Sequence, residues 1–335
     1  MPSKLAVRLR ALGRFAKGNP PIVMPWTLQR MGLLNMNRRN ADYIMRYNKR
    51  KFYPLVDDKL QTKRLAVDAG IAVPELYGVI EIEHQIRDLP DMLEGRTDFV
   101  IKPAHGAGGA GIMVISGRRG KKYIRASGVI ISESEVNHFI SNILSGMYSL
   151  GGMPDKAILE YRVKPHSIFD AVSYQGVPDI RTIVFRGVPV ACMVRLPSRM
   201  SDGKANLHQG AVGAGIDLVT GKTVDGVWLD QVLDMHPDTG NPIRGIEIPE
   251  WDKLLELAAR SYELTQLGYL GVDVVLDRDH GPLVLEYNAR PGLNIQLANQ
   301  MGLLGRLQAV EKLEEIPESA EARVELVRRL FGQPG

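Results

Sequence analysis

Three oxygen-bearing side chains late in the chain have the spacing of a cation site on one β-hairpin. We take this hairpin to be symmetric about Asp279 and His280. Asp273 then lies directly opposite Glu286. Asn288 follows two residues later, and because side chains alternate between the faces of a strand, it shares a face with Glu286.

These residue types favour a hard divalent cation. Opposed carboxylates repel each other across an antiparallel pair, and a cation between them would turn that repulsion into binding. All three ligands offer oxygen, so we expect Mg²⁺ or Mn²⁺ rather than Zn²⁺. Three side chains would leave coordination positions for the phosphate oxygens of a nucleotide. The alternative is an exposed acidic hairpin that binds no ion.

A glycine-rich segment earlier in the chain could cover phosphate groups. Residues 106–111 match G-x-G-x-x-G, but the segment that follows is short and β-branched instead of helical. We therefore predict a strand–glycines–strand hairpin whose backbone N–H groups contact phosphates at Gly106, Gly108 and Gly109. Lys102, on the incoming strand, would add a point charge. A glycine-rich surface hairpin is the alternative.

Several other motifs are excluded by spacing or absence. Gly221-Lys222-Thr223 imitates the end of a P-loop, but the required first glycine is replaced by Ile216. The chain has no His-Arg-Asp or Asp-Phe-Gly motif of protein kinases. It also has no H-E-x-x-H zinc motif and no G-x-S-x-G nucleophile motif, so zinc and serine hydrolases are not expected.

The elements that must position these residues follow an α+β order, not a regular βαβ alternation. Apolar periodicity, capping residues and turn residues predict them. We expect helices over residues 58–69, 132–144, 249–266 and 317–330, and strands over residues 99–102, 112–116, 157–163, 180–185, 188–196, 271–276 and 283–287. Arg186 and Gly187 predict a tight hairpin turn, and residues 198–221 predict a glycine-rich connection.

The composition is that of a globular chain with an ample core. It has 335 residues, of which 44% are apolar and 24% are charged, which suits one lobed domain or two small domains. The single cysteine, Cys192, cannot build a disulfide framework or a zinc ribbon, and its apolar surroundings predict burial. No apolar run reaches the ~20 residues of a membrane span, and no signal peptide is evident, so we expect a cytoplasmic protein.

Charge is unevenly distributed along the chain. Residues 1–64 hold 15 basic and 3 acidic residues, a net charge of +12, whereas the remainder carries −8. Residues 4–12 could form a basic amphipathic helix that contacts an acidic protein, an anionic membrane surface or RNA. A solvated surface helix is the alternative. No specific nucleic-acid readout motif accompanies the charge, and a homo-oligomer is compatible with the sequence.

Taken together, the motifs resemble the ATP-grasp superfamily, and within it the α-L-glutamate ligase-related proteins, similar to ribosomal-protein glutamate ligases. The resemblance covers roughly residues 57–305 in unbroken order. It is carried by the strings Asp58-Lys59-Leu60-Gln61-Thr62-Lys63, Phe99-Val100-Ile101-Lys102-Pro103 with the glycine loop, Ile158-Leu159-Glu160-Tyr161, Asp179-Ile180-Arg181, Asn206-Leu207-His208-Gln209-Gly210, Gly271-Val272-Asp273 and Glu286-Tyr287-Asn288-Ala289-Arg290-Pro291-Gly292.

The resemblance implies an α+β ATP-grasp fold whose two lobes grip ATP, preceded by a short basic helical segment. The expected divisions are residues 1–56 for the basic segment, 57–160 for the glycine-loop lobe, 161–310 for the lobe with the metal site and 311–335 for a charged helical tail. The resemblance implies that Lys59 and Lys102 hold the ATP phosphates, that Glu160 and Tyr161 contact adenine through their backbone, and that Asp179 lies on the ribose side. Lys204 and Asn206 would lie near the γ-phosphate, and the implied Mg²⁺ ligands are Asp273, Glu286 and Asn288. The implied cations for carboxylate and acyl-phosphate oxygens are Arg181, Arg195 and Arg290.

The implied reaction is an ATP-dependent carboxylate–amine ligation through an acyl phosphate, with fixed cations stabilising the tetrahedral oxyanion. The amine would be an amino acid, with glutamate the first candidate, and the acceptor a carboxylate on a peptide, protein or small molecule. Arg290 stands where glutamate ligases more often have a small residue, which indicates a carboxylate-bearing substrate. Two alternatives remain: a nucleotide-binding regulatory or scaffold protein, and a ligase acting on a non-protein acid in envelope or sugar-linked assembly.

Overall fold

The structure of the protein is a computed structural model that describes residues 25–106 and 109–332. The basic segment over residues 4–12 and the phosphate contact expected at Gly108 lie outside the described residues. The chain divides into two units. Asp57–Lys164 forms one, which we call the glycine-loop unit, and the described residues up to Val56 and from Pro165 onward form the other, which we call the acidic-hairpin unit.

Helices and strands alternate irregularly along the described chain. The α-helices are α1 Pro25–Arg30, α2 Met36–Arg38, α3 Met45–Tyr47, α4 Pro54–Asp57, α5 Lys59–Asp68, α6 Leu89–Met92, α7 Glu133–Leu144, α8 Trp251–Thr265, α9 Ile295–Ala298, α10 Leu304–Glu311 and α11 Ala320–Phe331. The strands are β1 Leu76–Ile80, β2 Phe99–Pro103, β3 Met113–Arg119, β4 Lys122–Arg125, β5 Ile130–Ile131, β6 Ala157–Glu160, β7 Asp179–Phe185, β8 Val188–Leu196, β9 Val212–Ile216, β10 Thr223–Trp228, β11 Gln231–Leu233, β12 Tyr269–Asp277 and β13 Gly281–Asn288. The expected α+β class is confirmed.

The glycine-loop unit is built on a six-stranded antiparallel sheet with the order β1-β6-β2-β3-β4-β5. Strands β2 and β3 pair directly, Val100 facing Val114, so the predicted strand–glycines–strand hairpin is present. Helix α7 begins at the predicted capping box, where the Ser132 hydroxyl accepts from the Glu135 N–H and the Glu135 carboxylate accepts from the Ser132 N–H. The helix lays its apolar side, with Ile140 among its residues, into the same core as β2 and β6.

The acidic-hairpin unit is built on a seven-stranded antiparallel sheet with the order β11-β10-β9-β8-β7-β12-β13. Strands β7 and β8 join through Arg186 and Gly187, with φ of 50° and 80°, which suits the twist of a tight hairpin turn. Strands β7, β8 and β12 are buried almost throughout. Only Arg181 in β7 and Arg195 in β8 are partly exposed. These two charged residues therefore lie on strands that are otherwise almost entirely buried.

Strand β9 was not predicted, because its glycines are typical of a loop. The region was expected to be a glycine-rich connection, but Val212–Ile216 is a fully buried central strand. A Cβ at Gly213 would lie 2.7 Å from the Leu207 side chain, and one at Gly215 would lie 2.7 Å from the Asn299 backbone. The glycines therefore admit close packing on this strand and do not mark a loop.

The segment before the glycine-loop unit is bound to the ends of β12 and β13. It is a chain of short helical pieces that includes a π-helix, Arg39–Ile44, a type that is often found at functional sites. The Asn48 amide donates to the Tyr269 and Ala289 carbonyls at 2.7 and 3.3 Å, and its oxygen accepts from the Tyr269 N–H at 2.8 Å. Asn48 thus bridges the two strands one step beyond Asn288. We call this contact the Asn48 bridge.

Cys192 is buried with a free thiol, as expected. Burial raises the pKa of this thiol to about 12, so it stays protonated and unreactive at neutral pH. None of the described helices combines the length and the hydropathy of a membrane-spanning segment.

The Asn48 bridge gives the first prediction. Asn48→Ala removes three hydrogen bonds and leaves buried backbone groups unpaired, so we expect the free energy of unfolding to fall by about 3 kcal/mol. Urea unfolding checks this. The exposed neighbour provides the control, because Lys49→Ala should change stability by less than ~0.5 kcal/mol. Equal losses in the two variants would contradict the bridge.

Candidate active site

The predicted pairing of Asp273 with Glu286 is present. The hairpin that produces this pairing is not symmetric, although a symmetric hairpin had been expected. Asp277 faces Gly281, so the turn is centred on Asp279 alone, and a bulge after Asp273 shifts the register by one residue. The bulge thus brings the two carboxylates opposite each other, as irregular pairing often does beside functional sites.

Two arginines from neighbouring strands hold the buried carboxylate. Arg181 donates from Nε and Nη2 to the two oxygens of Asp273 at 2.7 and 2.5 Å, and Arg195 Nη2 donates to Asp273 Oδ2 at 2.8 Å. Register explains the contact, because Asp273 lies opposite Arg181 on β7 and opposite Glu286 on β13. Burial alone would raise the pKa of Asp273, but the two guanidinium groups outweigh it and hold this pKa below its ordinary value.

Asp179 completes this charged group. Its carboxylate accepts two hydrogen bonds from Arg195, the residue opposite it on β8. Burial raises the pKa of Asp179 to about 6; Arg195 opposes this shift and Asp273 adds to it. Arg195 is therefore shared between two carboxylates, and its own pKa is raised because their attraction outweighs its burial. These side-chain ion pairs between neighbouring strands hold both arginines on one face of the sheet.

The three proposed metal ligands converge on one point. Asn288 Nδ2 lies 3.3 Å from both Asp273 Oδ2 and Glu286 Oε1. Turning the amide would place its oxygen there. Among the residues with described positions, no group of three or more His, Cys, Asp and Glu is placed to hold a metal. A cation site at Asp273 and Glu286 would therefore depend on Asn288 for a third protein ligand. The donor set is all oxygen and fits Mg²⁺ or Mn²⁺.

The remaining expected contacts in this unit lie on loops. Asn206 caps a short 3₁₀ helix, its side-chain oxygen accepting from the His208 N–H at 3.0 Å, and Lys204 precedes it in the same loop. Arg290 lies exposed just after the hairpin, with its guanidinium 5.4 Å from the centre of the Tyr53 ring. The structure therefore does not bring Arg290 into the paired group of Arg181 and Arg195.

In the glycine-loop unit, Lys102 is held by a buried carboxylate. Lys102 Nζ lies 2.5 Å from Glu160 Oε1, and Lys63 Nζ lies 2.7 Å from Glu160 Oε2. Burial alone would raise the pKa of Glu160, but the two ammonium groups outweigh it and lower this pKa. Burial also lowers the pKa of Lys63, against the attraction of Glu160. The resemblance had assigned Glu160 an adenine contact through its backbone; its side chain, with Lys63, holds the lysine.

Lys63 was missed as a site residue, although a signal existed. It follows Lys59 by four residues, so both lie on one side of helix α5. The Lys59 ammonium donates to the Gly106 carbonyl, and the Lys63 ammonium donates to the Pro74 carbonyl. The helix thus points one lysine at the glycine loop and the next at Glu160.

The glycine loop is shaped by close contacts. A Cβ at Gly106 would lie 2.3 Å from the Pro103 ring, and Gly109 has φ of 77°, so each position requires glycine. Beside the loop, Asp155 accepts from the His105 backbone N–H and contacts its ring Nδ1 at 2.8 Å. The Tyr161 N–H, where an adenine contact was expected, donates to the Glu75 carbonyl at 2.8 Å.

Comparison with known proteins identifies the family. Residues 38–312 match the family described as sugar-transfer associated ATP-grasp. The chain belongs to this family. The ATP-grasp resemblance inferred from the motifs is confirmed, and so is the fold class. The match begins within the segment that carries the Asn48 bridge, upstream of residue 57, where the motifs began.

Two curated proteins are similar in sequence to this sugar-transfer associated ATP-grasp protein at low identity. A probable α-L-glutamate ligase of Maridesulfovibrio salexigens is 24% identical over 253 residues, covering 75% of this chain and 61% of the relative. A probable α-L-glutamate ligase of Ectopseudomonas mendocina is 22% identical over 269 residues, covering 79% and 66%. The chain thus spans about two thirds or less of the curated relatives it matches.

Solved ATP-grasp structures are similar at low identity. The ligase PsnB complexed with a minimal precursor has a TM-score of 0.44 and 14% identity, covering 83% of this chain and 62% of PsnB. The D-cycloserine synthetase DcsG has a TM-score of 0.42 and 14% identity, covering 91% of this chain and 82% of DcsG.

The buried lysine–glutamate–lysine group gives a prediction with a defined pH dependence. Glu160→Gln leaves two ammonium groups without a carboxylate, so the free energy of unfolding should fall by about 3 kcal/mol at pH 7. A carboxyl with a lowered folded-state pKa stabilises above its unfolded-state pKa of ~4.3, and this stabilisation is lost as pH falls further. Urea unfolding should show the wild-type advantage shrinking below about pH 4.

The control is an exposed glutamate of the same unit. Glu94→Gln should leave stability unchanged within ~0.5 kcal/mol at every pH. A Glu160→Gln penalty that stayed constant between pH 7 and pH 3 would show that lost packing, not lost charge, causes it.

Proposed function

We propose that the protein is an ATP- and Mg²⁺-dependent carboxylate–amine ligase that forms an amide bond through an acyl phosphate. The observation that carries this proposal is the convergence of Asp273, Glu286 and Asn288 on one point beside two fixed arginines. Oxygen ligands suit a cation that binds phosphates. Fixed guanidinium groups suit the negative charge that builds up on acyl and phosphoryl oxygens.

The glycine-loop unit would bind the phosphates of ATP. Lys102 carries the charge, and its contact with Glu160 orders its ammonium group. Lys59 holds the loop through the Gly106 carbonyl, which pre-organises the backbone N–H groups at Gly106 and Gly109. Gly108, expected to contribute in the same way, stays a prediction.

The acidic-hairpin unit would bind the cation and the acyl group. Mg²⁺ held by Asp273, Glu286 and Asn288 would neutralise phosphate charge. Arg181 and Arg195 are each held by ion pairs to buried carboxylates, so they would present their guanidinium groups to the substrate in fixed orientations. Lys204 and Asn206 would contact the γ-phosphate and Asp179 would position Arg195; a ribose contact for Asp179, as the resemblance implied, would require it to release Arg195.

The bond changes are those of an acyl-phosphate ligation. The carboxylate oxygen of the acid attacks the γ-phosphorus, and ADP leaves. The amine nitrogen then attacks the acyl carbon, the bond to the phosphate oxygen breaks, and the nitrogen loses a proton. No enzyme nucleophile is required, because phosphate is already a good leaving group. Stabilising the developing negative charge is therefore the main task of the protein.

The names of the relatives suggest two substrate pairs. The curated relatives are probable α-L-glutamate ligases, which supports glutamate as the amine and a peptide or protein carboxylate as the acceptor. The family description, sugar-transfer associated, supports the second candidate, a non-protein acid in sugar-linked assembly. Assaying peptide acids and sugar acids in parallel, with the same amino acids, distinguishes the two.

ADP release tests the ligase directly. Wild-type protein is incubated with Mg²⁺-ATP, pooled amino acids and an acceptor fraction. ADP release should then require one particular amino acid and should rise with the concentration of that amino acid. Glu286→Gln should reduce release at least ~100-fold, because a ligand of the transition-state cation is lost. The exposed carboxylate of Glu314 is the control, and Glu314→Gln should retain full activity. Mg²⁺-dependent ATP binding without substrate-dependent ADP release would instead support the scaffold alternative.

Loss of the glycine-loop lysine should act on ATP affinity. Lys102→Ala removes a charge-assisted contact, so the KM for ATP should rise about 10- to 100-fold. Steady-state kinetics at fixed acid and amine measures this. Lys121→Ala, an exposed lysine of the same unit, should leave the KM unchanged. An unchanged KM in Lys102→Ala would remove the phosphate role of this hairpin.

A further inference from the structure

The ring of His105 is held at one nitrogen by a buried carboxylate. Its Nδ1 lies 2.8 Å from Asp155 Oδ1, and the His105 backbone N–H donates to the two oxygens of Asp155 at 3.2 and 3.0 Å. The Lys156 backbone N–H donates to Asp155 Oδ1 at 2.7 Å, and the Asp155 side chain is fully buried. Because a carboxylate only accepts hydrogen bonds, Nδ1 is the donor in this pair. Asp155 therefore fixes both the orientation of the ring and the nitrogen that carries its proton.

The opposite nitrogen of the ring, Nε2, is available to a ligand. It lies 3.8 Å from Asp58 Oδ2, which is beyond hydrogen-bond distance, and within the described part of the chain it has no hydrogen-bond partner. The other oxygen of Asp58 is used at the start of α5, where it accepts from the Leu60 and Gln61 N–H groups. The His105 side chain is 45% exposed, so the ring is open to solvent although the buried Asp155 closes its Nδ1 side.

The charged groups around the ring determine which ligand suits Nε2. Asp155 lies at one nitrogen and Asp58 near the other. The Lys59 ammonium is held at the carbonyl of the next residue, and the Lys156 ammonium pairs with Glu81 at 2.9 Å. A neutral ring with its proton on Nδ1 has only a lone pair at Nε2, whereas an imidazolium donates from both nitrogens. Protonation would place a positive charge between two carboxylates and let Nε2 donate to an anion.

This open nitrogen belongs to the residue immediately before the glycine loop. Gly106 is the first of the glycines whose backbone is proposed to contact phosphate. Its position is restricted, because a Cβ there would lie 2.3 Å from the Pro103 ring and because Lys59 holds its carbonyl. The loop therefore starts from a fixed point next to His105, and a phosphate bound at the start of the loop would lie close to the imidazole.

We propose that the imidazolium of His105 binds a phosphate group of the nucleotide through Nε2 and that Asp155 positions the ring for this contact. The proposal rests on the proposed binding of ATP by the glycine-loop unit, and it adds a contact that depends on a proton. A lysine ammonium stays charged between about pH 6 and about pH 8.5, whereas an ordinary imidazole loses its charge within this range. Phosphate binding by His105 would therefore weaken as pH rises, and phosphate binding by Lys102 would not.

Two amide variants separate the roles of the two ring nitrogens. The amide nitrogen of asparagine lies close to the position of Nδ1, so His105→Asn retains a donor for Asp155 and loses Nε2. The amide nitrogen of glutamine lies close to the position of Nε2, so His105→Gln retains a neutral donor for phosphate and loses the ring contact with Asp155. His84→Asn, which changes an exposed histidine of the same unit, is the control and should bind ATP as the wild type does.

Calorimetric titration of the full chain with Mg²⁺-ATP measures the contact. At about pH 6, His105→Asn should bind ATP about tenfold more weakly than wild type, because a charge-assisted hydrogen bond is lost. His105→Gln should lie between the two. At about pH 8.5 the difference between wild type and His105→Asn should shrink, because the imidazole is then neutral. The nucleotide itself titrates equally in every experiment, so the ratio of the affinities isolates the effect of His105.

A ring that served only to hold Asp155 would give the reverse order. His105→Asn would then bind ATP like wild type, and His105→Gln would be the weaker variant. That order, or an equal loss in His105→Asn at both pH values, would overturn the contact. Adenosine, which has no phosphate, should bind wild type and His105→Asn equally. Equal weakening of adenosine and ATP would also overturn the contact, since it would show a distorted unit and not a lost phosphate donor.

Two further measurements separate this contact from the ligase proposal. ATP binding that Lys102→Ala weakens and His105→Asn does not would overturn the contact and leave the proposed function intact. A loss of ATP affinity in His105→Asn without substrate-dependent ADP release by wild type would keep the contact and count against turnover alone. Absence of ATP binding by the wild-type protein would overturn both.

Discussion

Repulsion between two carboxylates placed opposite each other on one hairpin is the constraint that organises the acidic-hairpin unit. Asp273 and Glu286 face each other at a bulge, and Asp179 adds a third carboxylate nearby, buried like that of Asp273. Antiparallel pairing brings Arg181 and Arg195 to the same face, and their hydrogen bonds keep Asp273 ionised. The sheet thus carries a dense charged group that remains one positive charge short of balance, which suits an incoming cation.

The glycine-loop unit applies the same principle with the signs reversed. There one buried carboxylate, Glu160, holds two lysines, whereas in the other unit two arginines hold two carboxylates. In both units a buried ion pair is costly to form but fixes a charged side chain in one orientation. Such orientation is what electrostatic stabilisation of a transition state requires. The described segment before the glycine-loop unit also stabilises the acidic hairpin, because Arg39 and Asn48 donate hydrogen bonds to carbonyl groups at the end of β13.

Much of the site could be predicted from local sequence patterns. The pairing of Asp273 with Glu286, the glycine hairpin and the capping box of α7 each depend on residues close in sequence. The spacing of Lys63 from Lys59 could have marked it, but its partner Glu160 lies 97 positions away, and Pro291 lies 252 positions from Arg39, so neither contact could be predicted. Strand β9 was missed because glycine is a poor strand former in isolation, and only its tight packing against Asn299 explains its composition. The bulge was missed because register depends on side-chain packing along the whole ladder.

The central claim is that Asp273, Glu286 and Asn288 bind one divalent cation, and direct titration of Mn²⁺ by electron paramagnetic resonance tests it without any substrate. With ADP present, wild-type protein should bind one Mn²⁺. Asn288→Leu replaces the amide oxygen by an apolar group of similar size, and its affinity for Mn²⁺ should fall at least about tenfold. Equal affinity in the two proteins would contradict the account, because the hairpin would then carry its opposed carboxylates for another reason.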